Sequence, residues 1–342
     1  MRCLMPLALA MLLCGCASVP AAEPQMPAYD LSEERTPAGV PAPHVFVLEK
    51  DGATIAVFGT THLVPERMQW MSPATEAALA ASDLILTETS LFQHEQVEIS
   101  NDEAGVLATR MLLPPGRVLW TDAEKRLGPK VTAQIRAAMV DAELNPATYS
   151  AMRPWRVCRD LQIPPRKRRT ISAEERKMIE GLSAAYGAPD LAPPDLKVEM
   201  YGVANGIETQ FLESEYQRAE NFSRLSDEDA LDCAAEVAAK KRRGGAAKAT
   251  AAQYAELLIM WTSGHIEDAR TMMETDQGAV SDGWAHLFLQ GREAAWLTQI
   301  ARECDAARRD CFIAVGMAHL GGPDGLMKAI EKMGYRPVVP QG

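Results

Sequence analysis

The chain has 342 residues, 47% of them hydrophobic, with 46 acidic side chains against 35 basic ones and a formal net charge of -11. That acidity argues against nucleic acid or anionic lipid as the main partner. The body from residue 44 to 342 is long enough for one large α/β unit or two fused halves.

Residues 1–15, MRCLMPLALAMLLCG, carry one early arginine and then an apolar run too short to span a bilayer, and read as a signal peptide. The end of that segment, Leu13-Cys14-Gly15-Cys16, resembles the lipobox of bacterial lipoproteins, with Cys16 as the lipidated residue. The resemblance implies acyl chains at Cys16 that hold the protein to a membrane, and Ala17 after it favours the outer membrane. A periplasm-facing outer-membrane lipoprotein is therefore expected in preference to a soluble periplasmic protein. Residues 16–43 are rich in proline (Pro20, Pro24, Pro27, Pro37, Pro41, Pro43) and poor in apolar side chains, which predicts a disordered tether.

HVFVLEKDGATIAVFGTTH reads as a β-hairpin: Val45 to Leu48, a turn at Asp51-Gly52, and Thr54 to Phe58, whose carboxyl end delivers Gly59 and His62. Ser72 and Pro73 supply a helix N-cap and first turn, PATEAALAAS follows as a helix, and Leu84-Ile85-Leu86-Thr87 is a strand finishing at Glu88. This β-α-β order favours a parallel pair with a right-handed crossover.

Residues 101–253 read as mostly helical, with Pro and Gly breaks near 114–116, 164–165 and 193–194. GWAHLFLQGREAAWLTQIARE predicts one long helix. CFIAVGMAHLGGPDGLMKAIEKMGYRPVV then gives a strand, a Gly-rich turn, a helix starting at Pro323-Asp324 and capped by Gly334, and a final strand. The body divides into an N-terminal half (44–162), a helical middle (163–252) and a C-terminal half (253–342). Its cysteines, Cys158, Cys233, Cys304 and Cys311, are even in number, and Cys304 with Cys311 is the favoured pair. The basic clusters at 166–169 and 240–243 read as solvated loops or helix ends.

Two places share one phrase. TIAVF runs into Gly59-Thr60-Thr61-His62, and FIAV runs into Gly316-Met317-Ala318-His319. Glycine lets the backbone turn or approach a ligand closely, and the strand fixes where the next side chain points. Ligands gather outside the carboxyl ends of strands in open α/β sheets, so His62 and His319 can meet there with Glu88. Such a set suits divalent Zn, Mn, Fe or Co with positions open for water and substrate.

AVFGTTHLVP, LILTE, MRPWRV, GREAAWLTQI and FIAVGMAHLGGPDGLMKAIEKMGYRPV resemble the TraB/GumN family, which includes the Tiki metalloproteases. The resemblance implies a mixed α/β sheet built from two related halves and flanked by helices, with a helical middle insertion, similar to the erythromycin-esterase and ChaN-like fold. It also implies an active centre of two Gly-x-x-His motifs and a glutamate, matching His62, His319 and Glu88, and hydrolysis as the leading reaction. Arg292 fits the family's Arg-Asn pair, with Glu293 where asparagine is usual, and His265 replaces an expected aspartate in the stretch Trp261 to His265. Gly206-Ile207-Glu208 corresponds to a Gly-x-Asp of the family, but no Leu-Glu-Thr stretch is recognised after it, so little carries over from residues 165–250.

The leading expectation is a lipid-anchored envelope hydrolase in which His62, Glu88 and His319 bind a divalent metal against a peptide, amide or ester bond. Glu66 is the candidate general base, and Arg292 or Arg153 could hold an anionic substrate or oxyanion, although structural salt bridges are the commoner use of such arginines. The alternative is a non-catalytic haem or iron carrier, or an accessory factor in polysaccharide export. His94 to Glu98 begins like a zincin motif but lacks the second histidine. His44 and His286 read as surface or packing residues, and Trp155 and Trp296 as core. No Gly-x-Ser-x-Gly elbow, Walker loop or dinucleotide fingerprint is present, which removes the common serine hydrolase, nucleotidase and dehydrogenase readings.

Overall fold

The sequence VFVLEKDGATIAVFGT folds as the expected hairpin, β1 (Val45–Lys50) and β2 (Ala53–Thr60). Its two-residue turn places Asp51 at φ 52° and Gly52 at φ 83°, the left-handed pair whose twist matches that of the flanking strands. These and the following elements come from a computed structural model that describes residues 35–36, 42–61, 64, 68–89, 106, 109–162, 194–242, 256–278 and 287–338. The expected signal peptide, Cys16 and most of the expected tether lie outside these residues. Within the predicted tether, the Thr36 N–H donates to the Met71 carbonyl at 2.9 Å and Arg35 pairs with Glu76, so this piece docks on the body.

Helix α1 (Pro73–Ala80) starts where its cap residues dictate: the Ser72 hydroxyl accepts from the Thr75 N–H at 3.0 Å, and Pro73 occupies the first turn. Strand β3 (Leu84–Thr87) follows. The later strands are β4 (Glu208–Phe211), β5 (Cys311–Gly316) and the two-residue β6 (Arg336–Pro337). Together they form a six-stranded mixed sheet in the order β4-β3-β5-β2-β1-β6. The four strands β4, β3, β5 and β2 run parallel, while β1 is antiparallel to both β2 and β6. All four parallel strands therefore present their carboxyl ends along one edge.

The pleat sorts the buried side chains. Ile55 and Val57 of β2 and Cys311, Ile313 and Val315 of β5 join a core with Trp296, Ile300, Leu326 and Ile330 on one face. Ala56 and Phe58, with Phe312 and Ala314, pack on the other face against Trp70, Met71, Leu79 and Trp261. Both faces are covered, so these central strands read as nearly continuous apolar runs.

A third core lies in a helical body. It comprises α2 (Leu119–Leu127), α3 (Pro129–Asp141), α4 (Pro154–Gln162) and, beyond α5 (Pro194–Ala204), which packs Val198 on the sheet, α6 (Glu215–Phe222) and α7 (Asp227–Arg242). Trp155 sits at its centre with no exposure, as expected of a core residue. Cys158 on α4 is disulfide-bonded to Cys233 on α7, with 5.7 Å between Cα atoms. The favoured Cys304–Cys311 bond is also present, at 6.0 Å, and ties a π-helical turn (Ala301–Ala306) to β5.

Three expectations change. The middle contributes β4 to the sheet, because Glu208 to Phe211 finds an open edge on β3. The long late helix is broken at Leu289 (φ -106°, ψ -82°), and α9 (Gln290–Ile300) starts there, after α8 (Ile266–Gly278). The last helix, α10 (Leu326–Lys332), has Gly325 as its N-cap in place of Pro323-Asp324, and Gly334 ends it at φ 101° as expected. No helix among the described residues is long and apolar enough to cross a membrane.

Candidate active site at the carboxyl edge of the sheet

The two Gly-x-x-His phrases lie side by side. Strands β2 and β5 are parallel neighbours with Thr60 opposite Gly316, so the phrases run one residue out of register. Neither glycine is in the left-handed region; each is there for space. A Cβ on Gly59 would stand 3.2 Å from the Met317 Cα, and one on Gly316 would stand 3.3 Å from Glu88 Oε2. Gly316 thus lets a carboxylate lie against the backbone.

Glu88 ends β3 with its N–H donating to the Ala314 carbonyl at 3.1 Å, and its Oε2 accepts from the Gly316 N–H, also at 3.1 Å. Next to it the β3/β4 ladder runs on past the strands. The Leu212 N–H donates to the Thr87 carbonyl at 2.8 Å and the Glu213 N–H to the Glu88 carbonyl at 3.2 Å. Two glutamates therefore end neighbouring parallel strands and point their charges at one place.

The group at that place is Arg292. Its Nη2 donates to Glu88 Oε1 and, at 2.5 Å, to Glu213 Oε1, and its Nε donates to the two Glu213 oxygens at 2.9 and 3.0 Å. One helical turn on, the Trp296 ring lies 4.9 Å beneath the guanidinium carbon. Glu88, Glu213 and Arg292 are 7%, 4% and 4% exposed, a degree of burial at which charges must be paired. Burial alone would lower the Arg292 pKa, but the charges of Glu88 and Glu213 and the bonds to both outweigh it and hold the guanidinium above its usual range.

His319 closes a short 3-10 turn (Met317–His319) after β5 and is buried against Trp296, with ring centroids 4.6 Å apart. Consecutive residues of α9 take its two nitrogens: Arg292 Nη1 is 3.3 Å from Nε2, and Glu293 Oε1 is 3.0 Å from Nδ1. Glu293 is held in turn by Arg270 of α8, whose Nη1 donates to the same Oε1 at 2.7 Å and to the Ala318 carbonyl at 3.3 Å. Trp261 supports the β2 side, donating from Nε1 to the Gly59 carbonyl at 2.6 Å.

Of the residues expected here, Glu88, His319 and Arg292 come together. His62 and Glu66 lie outside the described residues, although Thr61, next to His62, is buried at the same edge. His94 to Glu98 and His286 also lie outside them. Arg153 is elsewhere, in the helical body, with its Nη2 3.1 Å from Asp227 Oδ1. His44 is exposed, and His265 is a surface residue 3.5 Å from Asp268. Among the described residues no three His, Cys, Asp or Glu side chains are arranged to hold a metal ion, and His62 is not one of those residues.

Glu213, Arg270 and the pairing of Glu293 with His319 are not among the expected site features. A signal for Glu213 was present: Leu212-Glu213-Ser214 after β4 repeats the strand-then-glutamate phrase of Leu86-Thr87-Glu88-Thr89, and it stands where the Leu-Glu-Thr stretch went unrecognised. The sequence model of the TraB/PrgY/gumN family matches residues 45–338, from the first residue of β1 to the residue after β6. The chain belongs to the TraB/PrgY/gumN family. No curated protein and no solved structure matches it. For this family member, the match takes in every element that builds the cluster around Arg292.

Proposed function

We propose that this TraB/PrgY/gumN protein is a metal-dependent hydrolase of the bacterial cell envelope, acting on a peptide or related amide or ester bond. The observation that carries the reading is the convergence of Glu88 Oε1 and His319 Nε2 on one cationic group, the Arg292 guanidinium, at the carboxyl ends of parallel strands. Two donors that meet on a guanidinium are of the right type for a divalent cation, one an imidazole nitrogen and the other a carboxylate oxygen. The other His319 nitrogen rests on a carboxylate, the arrangement that orients metal-bound histidines. Glu213 meets Arg292 through both of its oxygens, so it can hold the guanidinium independently and leave Glu88 to act as a ligand.

His62, Glu88 and His319 would hold the ion, with Mn, Co, Zn or Fe all compatible with such donors. Its chemistry there would be to acidify a bound water and polarise the scissile carbonyl. The chain's own part is positional. Arg292, still bonded to Glu213, presents donors to charge developing on the carbonyl oxygen. Glu66, four residues after His62, is the proposed general base for water, and Trp296 and Phe288 wall the His319 ring from solvent. Acyl chains on Cys16 would keep the body at the outer membrane, facing the periplasm.

The test is turnover of peptide, amide and ester substrates by protein purified without chelator and supplied with each metal in turn. Glu88→Gln and His319→Ala are each expected to lower turnover by at least about 100-fold, the upper end of what loss of a metal site's supporting groups costs. Wild-type turnover in both variants would refute the hydrolase reading.

A further inference from the structure

Two contacts on His319, made by different side chains, demand the same proton position. A guanidinium can only donate, so Arg292 Nη1, 3.3 Å from Nε2, requires Nε2 to offer its lone pair. On the other side, Glu293 Oε1 lies 3.0 Å from Nδ1 and also receives the Arg270 donor at 2.7 Å, which requires that oxygen to accept and Nδ1 to carry the hydrogen. A ring protonated at Nε2 would set two donors against each other at one nitrogen and leave Nδ1 with nothing to give Glu293.

The burial of Glu293 supports a role for its charge. The residue is 1% exposed, yet among the described residues its Oε2 has no hydrogen-bond partner, and the carboxylate meets His319 and Arg270 through Oε1. A buried carboxylate with one oxygen unpartnered is a poor stabilising element, since desolvation is incompletely offset. Arg270 is itself 3% exposed and fixed at its Nε by Glu274 at 2.7 Å, which makes it a rigid clamp. We infer that Glu293, clamped by Arg270, is the positioning residue that holds His319 as the Nδ1–H tautomer and turns its Nε2 lone pair toward Arg292, the group that also bonds Glu88. The consequence for chemistry rests on the reading of His319 as a working residue. The tautomer itself is a property of four side chains and stands apart from any turnover.

The experiment uses the full chain carrying ring-labelled histidine and a long-range proton–nitrogen correlation spectrum at neutral pH, with the His319 signals assigned by their loss in His319→Asn. The expected wild-type pattern is a pyrrole-type Nδ1 and a pyridine-type Nε2. Glu293→Ala should lose that pattern for an averaged or Nε2–H one, whereas Glu293→Gln, whose amide oxygen still accepts from Nδ1, should restore it. Should Glu293→Ala fail to fold, Glu293→Gln still decides, because its Nδ1 proton should move upfield as a charge-assisted bond becomes a neutral one. An Nε2–H or doubly protonated His319 in the wild type, an unchanged pattern in Glu293→Ala, or an unmoved proton in Glu293→Gln would overturn the inference. Substrate turnover is not read, so the spectrum and the hydrolysis assay can fail independently.

Discussion

Two of the regions in which the protein buries charge do so in different ways. In the helical body, Tyr149, Arg156 and Asp160 form a short-range network, with the tyrosine hydroxyl donating to Asp160 Oδ2 at 2.6 Å and Arg156 reaching the same oxygen from one helical turn away. At the carboxyl edge of the sheet, Glu88, Glu213, Arg270, Arg292, Glu293 and His319 come from the ends of three strands and from two helices, and up to 231 residues separate them. The first network is closed by its own local sequence and every partner has an obvious structural use. The second gathers remote residues where a parallel sheet places ligands, leaves one glutamate oxygen without a partner among the described residues, and sets an imidazole nitrogen 3.3 Å from a cation. Burial of charge is thus a sign of function only together with long-range convergence.

The sharpest way to break this contrast is to remove the central cation. Arg292→Ala leaves Glu88 and Glu213 buried without their main partner and should cost about 3–5 kcal/mol in urea denaturation. Arg153→Ala, whose pair with Asp227 is 26% and 20% exposed, should cost less than about 1 kcal/mol. Equal losses would mean that the two regions use their arginines alike. The disulfides offer a second contrast. Cys158–Cys233 closes 75 residues and Cys304–Cys311 only 7, so on chain entropy replacing each pair by serine should cost about 4 and about 2 kcal/mol.

A smaller effect reads the local network by pH. Burial, reinforced by the bond to Asp160, pushes the Tyr149 hydroxyl up to about 12 from its ordinary 10.0. The unfolded tyrosine ionises first, so the stability it contributes is complete below about pH 10 and is lost as pH rises toward 12. Tyr335 is pushed up to about 12 in the same way, by burial and Asp305, and acts in the same window. The denaturation midpoint should therefore fall above about pH 10, and less steeply in Tyr149→Phe. An identical slope in the variant would take Tyr149 out of this account.

How much of this was legible in sequence follows from where the information lies. The hairpin, the capped helix after Ser72, β3 and β5 are spelled by local rules: alternating or continuous apolar runs, Asp-Gly, Ser-Pro. The repeated Gly-x-x-His phrase marked the sheet edge, and Glu88, His319 and Arg292 do meet there. Strand β4 was missed because four residues, Glu-Thr-Gln-Phe, have no strand pattern of their own and are extended only because β3 offers an open edge. Glu213 went with it. Nothing in the sequence singles out Arg270, and Glu293 stands out only for replacing a usual asparagine, since nothing local says that two helices will press them onto His319 from 49 and 26 residues away. Arg153 takes the commoner of the two uses open to it, a structural salt bridge, with Asp227 as its partner.

The central claim is that the two histidines and Glu88 form one cation-binding centre, and bound-metal content tests it most directly. Wild-type protein and the His62→Ala/His319→Ala double variant would be purified side by side without chelator and analysed by plasma mass spectrometry. Near-stoichiometric divalent metal is expected in the wild type, and its loss in a folded double variant. Equal metal content in the two, or none in the wild type even after incubation with Mn, Co, Zn or Fe, would contradict it.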